Sequence, residues 1–217
     1  MIIAIDGPAG SGKTTIAKLL SRKLSISYLD TGATYRALTL KALENNIDVK
    51  NEAALVAVAK KLVIRFEGQK VYLNEKDVSG QIRTPLIDKN ISAVVEHKAV
   101  RQVMVALQRS IASHGDFVVE GRDITTVVFP QAEYKFYLDA DPAIRANRRH
   151  KELESKGVTL DFKEVKQDLY KRDEADKTRK IGALTVASDA VYIDTTHLNI
   201  DEVVTAMCAH IHQAGNK

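Results

Sequence analysis

Residues 7 to 14 read Gly7-Pro8-Ala9-Gly10-Ser11-Gly12-Lys13-Thr14, and residue types at this spacing suit one task, the grip of a polyphosphate. They fit G-x-x-x-x-G-K-[ST] at every position. A β-type run, Ile2 to Ile5, precedes the motif, and a helical pattern of Ile16, Leu19, Leu20 and Leu24 follows it. Glycines let the backbone wrap until successive N–H groups face phosphate oxygens at the positive end of a helix dipole. Lys13 is then expected to reach the β- and γ-phosphates, Thr14 to ligate Mg²⁺ through its hydroxyl, and Thr15 to complete the ATP-binding run. A chance glycine-rich turn is the alternative, and the flanking strand and helix argue against it. The motif specifies a nucleoside triphosphate without specifying what is done with it.

The remaining candidates are mostly arginines, well separated along the chain. A guanidinium is planar, permanently charged and fits phosphate bidentately, so a site handling two phosphorylated ligands uses several. Any one arginine is equally at home on a solvated surface. Arg145, Arg148 and Arg149 stand at i, i+3 and i+4 and would share one helix face. That face is either a solvated basic strip or, following a strand that ends in Asp139, a lid turned toward phosphates.

The elements that must carry these residues alternate. Short apolar or β-branched runs at Ile2–Ile5, Ile26–Leu29, Phe117–Val119, Lys135–Leu138 and Val191–Ile193 suit strands buried on both faces of a parallel sheet. Helical stretches lie between them, as in a three-layer α/β fold with right-handed crossovers. One interval breaks the pattern: from Leu62 to Leu73 two β-prone arms flank a turn at Gly68, which predicts a hairpin. The expected organisation is therefore a core of residues 1–36, 101–141 and 181–217, an inserted subdomain at about 37–100, and lid helices at about 142–180. The last stretch is highly charged, with few core-type residues, and reads as a solvated, mobile flap.

Several sequence blocks, taken in order, resemble the bacterial cytidylate kinases along nearly the whole chain. They are Ile5-Asp6-Gly7-Pro8-Ala9-Gly10-Ser11-Gly12-Lys13, Leu29-Asp30-Thr31-Gly32-Ala33-Thr34-Tyr35-Arg36, and Val78-Ser79-Gly80-Gln81-Ile82-Arg83-Thr84. Gly121-Arg122-Asp123 then leads into Thr126-Val127-Val128-Phe129-Pro130, and Arg172-Asp173-Glu174-Ala175-Asp176 with Arg179 closes the series. The resemblance implies a P-loop kinase that passes the γ-phosphoryl of ATP to CMP or dCMP with Mg²⁺. It implies that Arg36 and Arg122, with the Thr31 hydroxyl nearby, hold the acceptor phosphate, and that Ser92, Arg101 and Asp123 read cytosine. It assigns Arg172 and Asp176 to the ribose with Arg179 approaching from the same segment, and the lid to about Pro142–Gly157. A carboxylate at Asp123 would accept from the cytosine N4 amino group, where uracil presents a carbonyl; on the residues alone a structural cap serves as well. Two departures stand out. The family usually has glycine ahead of T-V-V-F-P where this chain has Ile124-Thr125, and its A-P-L appears here as Gly182-Ala183-Leu184.

Composition narrows the alternatives. A chain of 217 residues with 45% apolar content can bury a full core without disulfide or structural metal. The single cysteine, Cys208, forms no internal disulfide, suits a reducing cytoplasm, and falls in a helical pattern with Ile200, Val203, Val204, Met207 and Ile211. Six histidines form no zinc spacing. The net charge of +4 is a mild excess, and with no tryptophan and few aromatic residues it does not describe a nucleic-acid binder. No apolar run approaches membrane-spanning length. The expectation is a monomer acting on small molecules, with no nucleic acid and no membrane. A kinase for another acceptor and a regulatory nucleotide-binding module remain the rivals.

Overall fold

Strands covered by helices on both faces carry continuous apolar runs, and the runs noted above become strands for that reason. In the computed structural model, which describes residues 1–68, 70–155 and 157–215, they are β1 (Ile2–Asp6), β2 (Ser27–Asp30), β6 (Phe117–Glu120), β7 (Tyr134–Asp139) and β8 (Val191–Asp194). Gln69, in the expected hairpin, and Lys156, in the expected lid, lie outside the described residues. The chain divides into two compact units, Met1–Ile26 with Val118–Lys217, and Ser27–Phe117.

In the first unit the strand order is β6-β1-β7-β8. β1 pairs in parallel with β7, Asp6 opposite Tyr137, and β7 pairs in parallel with β8, Asp139 opposite Asp194. The helices of this unit are α1 (Lys13–Leu24), α6 (Pro142–Ser155), α7 (Phe162–Thr178) and α8 (Ile200–Gly215). Ile3, Ala4, Ile5, Phe136 and Leu138 are wholly buried between the helical layers, whereas Tyr192 of the edge strand β8 is half exposed. Cys208 is buried on α8 with Val203, Val204, Met207 and Ile211, while Ile200 at the helix start is exposed.

The second unit holds α2 (Thr31–Glu44), α3 (Glu52–Ala59), α4 (Pro85–Glu96), α5 (Lys98–Ile111) and an antiparallel sheet. Strands β3 (Ile64–Glu67) and β4 (Lys70–Leu73) form the expected hairpin, and a short β5 (Lys76–Asp77), unforeseen from the sequence, pairs with β4. This unit is wider than the insertion expected at 37–100. The expected cuts fall inside α2 and α5, whose Ala33, Tyr35, Leu38, Val100 and Met104 share one apolar core with Leu55, Val71 and Ile82. A continuous helix packed along one core cannot be divided between units.

The expected solvated flap is also corrected. Arg145 and Ala146 of α6 are buried, as are Val165, Leu169, Asp173 and Asp176 of α7. Ala9, Ala146 and Leu169 form a small apolar cluster, and two buried carboxylates on α7 demand cationic partners. Charge density here reflects internal ion pairing rather than hydration alone. Among the described residues, no helix is long and apolar enough to cross a membrane.

Candidate active site

The phosphate loop begins where β1 ends. Gly7 has φ near +149°, and a Cβ there would lie 2.0 Å from the Leu138 carbonyl oxygen, so the chain leaves the sheet at a point only glycine can occupy. Gly10, with φ near +77°, passes so close to α6 that a Cβ would meet the Arg145 carbonyl oxygen at 2.9 Å. The helix α1 then starts at Lys13 with its free N–H groups facing the loop.

Lys13 is buried and folds back onto its own loop, donating to the Pro8 carbonyl at 2.7 Å and to Ser11 Oγ at 3.4 Å. Burial and then the neighbouring Arg122 push its pKa down to about 7, with Arg172 adding to the fall and Glu120 and Asp176 opposing it. Thr14 donates through Oγ1 to Glu120 Oε2 at 3.0 Å. Glu120 was missed in reading the sequence. Its signal is a carboxylate closing a buried apolar strand, Phe117-Val118-Val119-Glu120, which is the placement P-loop proteins use for a metal-facing acid. A hydroxyl and a carboxylate are the hard oxygen donors Mg²⁺ takes when it keeps several waters. Among the described residues no cluster of three or more Asp, Glu, His or Cys is arranged to hold a metal.

Beside Lys13 lies a group of arginines built around one carboxylate. Asp176 accepts from Arg122 Nε at 2.7 Å and from Arg179 at 2.5 Å. Burial alone would raise the Asp176 pKa, but Arg122, Arg179 and Arg172 hold it below the usual carboxylate range. Burial likewise works against the Arg122 charge, and Asp176, Glu120 and Asp173 outweigh it, so the guanidinium is more firmly protonated than a free one. Arg172 is exposed, close enough to bias both Lys13 and Asp176. Gly182, with φ near +67°, offers its carbonyl to Arg179 at 3.5 Å, and Leu184 N–H bonds the Asp176 carbonyl at 2.8 Å. The Gly182-Ala183-Leu184 departure thus closes behind α7 without proline.

Asp123 is buried and opens a π-helix, Ile124–Val128. Its carbonyl, rather than its side chain, serves that helix, accepting from Val127 and Val128 N–H at 2.9 and 3.0 Å. The carboxylate makes no capping bond there, which removes the cap reading.

The expected common face of Arg145, Arg148 and Arg149 is divided. Arg145 donates to the Ala140 and Ala9 carbonyls at 3.0 Å each and to Asp173 Oδ2 at 2.5 Å. Arg148 grips Thr195, at 3.0 Å to Oγ1 and 2.6 Å to the carbonyl oxygen, and Thr195 Oγ1 in turn donates to the Ser11 carbonyl at 3.2 Å. Arg149, half-buried, pairs with Glu152 at 2.9 Å. Two of the three therefore join α6 to the backbone around the phosphate loop, because buried Asp173 and the Thr195 carbonyl are the acceptors within reach. Thr15 is exposed.

In the second unit, Asp30 caps α2 by accepting from Ala33 N–H at 2.9 Å, and Thr31 is buried in the first turn. Arg36 projects from α2 to the Ile82 carbonyl at 3.0 Å and to Asp88 at 2.5 Å, and Arg83 reaches Asp30 at 3.3 Å. Arg101 is buried on α5 with its guanidinium carbon 5.8 Å from the centre of the Tyr35 ring, and Ser92 is exposed on α4, which packs against α5. Arg36 and Arg122, the arginines expected at the acceptor phosphate, already face the carboxylates of Asp88 and Asp176.

The family model described as cytidylate kinase matches residues 3–213. Among curated relatives, a cytidylate kinase from Clostridioides difficile is 45% identical over 212 residues, covering 98% of each chain. One from Enterococcus faecalis is 48% identical over 217 residues, covering 98% of this chain and 96% of its own. A crystal structure of an uncharacterized protein from Eubacterium ventriosum aligns with TM-score 0.51 at 14% identity over 98% of both chains, a likeness of fold alone.

Proposed function

This chain belongs to the cytidylate kinase family and is an ATP-dependent phosphotransferase, and we propose that it converts CMP or dCMP with ATP to the corresponding diphosphate and ADP. The observation that carries the site assignment is the convergence of Lys13 and Arg122, distant in sequence, near enough that Arg122 disfavours charge on Lys13 while Glu120 and Asp176 favour the charge of both. Such a cluster is electrostatically incomplete without an anion. Two phosphorylated ligands would complete it.

The backbone N–H groups of Gly10 to Thr14 and the Lys13 ammonium are assigned to the ATP phosphates, with Lys13 leaving the Pro8 carbonyl as a phosphate arrives. Thr14 and Glu120 would hold Mg²⁺, which when bound neutralises charge between the β- and γ-phosphates. Arg36 and Arg122, with Thr31, are assigned to the acceptor phosphate, Arg172, Asp176 and Arg179 to the sugar, and Ser92, Arg101 and Asp123 to cytosine. The acceptor oxygen is already ionised at neutral pH, so no general base is required. Positioning and charge neutralisation supply the rate. Arg149 is assigned to the phosphates from the lid, and Arg145 and Arg148 to holding the lid helix against the loop. The same reading places the enzyme in the cytoplasm as a monomer.

The test is an acceptor panel at fixed ATP. CMP should exceed UMP strongly in kcat/KM, and Asp123→Asn, which can turn a donor toward the pyrimidine 4-position, should narrow that ratio by at least about tenfold. Equal use of UMP by the wild type would sink the base assignment, and turnover of a hydroxy acid in place of CMP would sink the substrate class.

A further inference from the structure

Asp6 ends β1 and is fully buried. Its Oδ1 accepts the Ile124 N–H at 2.8 Å, and its Oδ2 accepts both the Thr125 N–H at 2.8 Å and the Thr125 hydroxyl at 2.6 Å. Burial pushes the Asp6 carboxyl up, the Thr125 hydroxyl and the two amides oppose that, and the nearby Asp123 carboxylate adds to the rise. Three donors on one buried carboxylate offset part of the cost of burial, which still leaves its pKa above the usual carboxylate range.

These bonds are made to the start of the π-helix that Asp123 opens, a rare conformation that needs support from outside itself. The same segment is tied to β1 once more, by Gly121 N–H to the Ile5 carbonyl at 3.0 Å. Arg122 and Asp123 lie between these two attachments. β1 is fixed by its register with β7, so a weakened attachment shifts the segment rather than the strand.

Thr125 immediately precedes the run Thr126-Val127-Val128-Phe129-Pro130. A residue without a hydroxyl at this position would retain the amide bond to Asp6 but lose the 2.6 Å bond. We propose that Asp6 and Thr125 are positioning residues for the acceptor side of the site: Thr125 Oγ1 completes the Asp6 carboxylate and sets where Arg122 and Asp123 present their side chains. This rests on the assignment of Arg122 and Asp123 to the acceptor. Neither Asp6 nor Thr125 touches the ligand in this scheme.

Steady-state kinetics of Thr125→Val, Thr125→Ser and Asp6→Asn, with Asp123→Asn in parallel, test it. Valine keeps the shape and removes one bond to the buried Asp6 carboxyl, and KM for CMP should rise about tenfold while KM for ATP stays within about twofold. The CMP/UMP ratio should narrow by at least about threefold, and Thr125→Ser should restore both values. Asp6→Asn forces an amide donor against one of the two N–H groups and should exceed Thr125→Val in its effect on CMP. Equal losses for ATP and CMP, an unmoved Thr125→Val, or a loss that serine does not rescue would overturn the proposal. If valine prevents folding, Thr125→Gly provides the same comparison, with the same expected and refuting results. A normal CMP/UMP ratio in Asp123→Asn rejects the base assignment; a narrowed ratio there beside an unmoved Thr125→Val rejects the positioning role alone.

Discussion

Raising the pH of nucleotide-free enzyme from 6 to 8 should discharge Lys13, and the arrival of ATP should charge it again. With its pKa pushed down to about 7 by burial and Arg122, Lys13 is about 90% protonated at pH 6 and only about 10% protonated at pH 8. A bound polyphosphate supplies the negative charge that burial withholds and returns the pKa toward the ordinary lysine range near 10.5. ATP binding at pH 8 should then take up about 0.9 proton per site, against about 0.1 at pH 6 from this group. The higher pH is the better place to look, since a phosphate whose last pKa lies near about 6 is fully ionised there. Isothermal titration in buffers of different ionisation enthalpy reads the number directly as a slope. Lys13→Met should abolish it. Tight ATP binding at pH 8 with no net uptake, or uptake that survives in Lys13→Met, would refute the placement of Lys13 against the phosphates. The sign for stability is opposite to the common lysine case. The unfolded chain keeps this proton up to about pH 10.5 and the folded one releases it near 7, so this group's contribution to stability rises with pH across that window.

Lys13→Ala should lower kcat by about 10³ or more with unfolding temperature preserved, because a charge opposite the transferring group is lost; a folded variant with near-normal turnover would remove Lys13 from the chemistry. Asp173→Asn leaves Arg145 buried without its counter-charge and should cost about 3–5 kcal/mol in urea unfolding. A loss below about 1 kcal/mol would mean that the Ala9 and Ala140 carbonyls alone satisfy Arg145.

What could be read from the chain was what lies close together along it. The strand, glycine loop and helix from Ile2 to Leu24 are local, so their pattern sufficed. The hairpin followed from two β-prone arms around Gly68. Pairings across long separations left little trace: Glu120 is marked only as a carboxylate closing an apolar strand, with nothing near Thr14 pointing to it, and nothing in Arg145 or Arg148 announces Asp173 or Thr195. The same blindness turned α6 and α7 into a hydrated flap, since a helix with few apolar residues reads alike whether its charges meet water or each other. Asp6 was visible only as a motif letter, and nothing in that motif announces its hydrogen bonds to Thr125.

The unit from Ser27 to Phe117 closes on itself. Ser27 N–H bonds the Asp116 carbonyl at 3.0 Å, so its chain enters and leaves at one place, and its apolar core draws every member from within its own span. To the remainder of the polypeptide it is a long loop whose ends already meet, and closing a long loop costs little more than closing a short one. Such a segment has what autonomous folding needs, a private core and joined termini. Excised as a fragment, it is expected to retain its helices and hairpin, and in the whole protein its amides should exchange with solvent as one cooperative block.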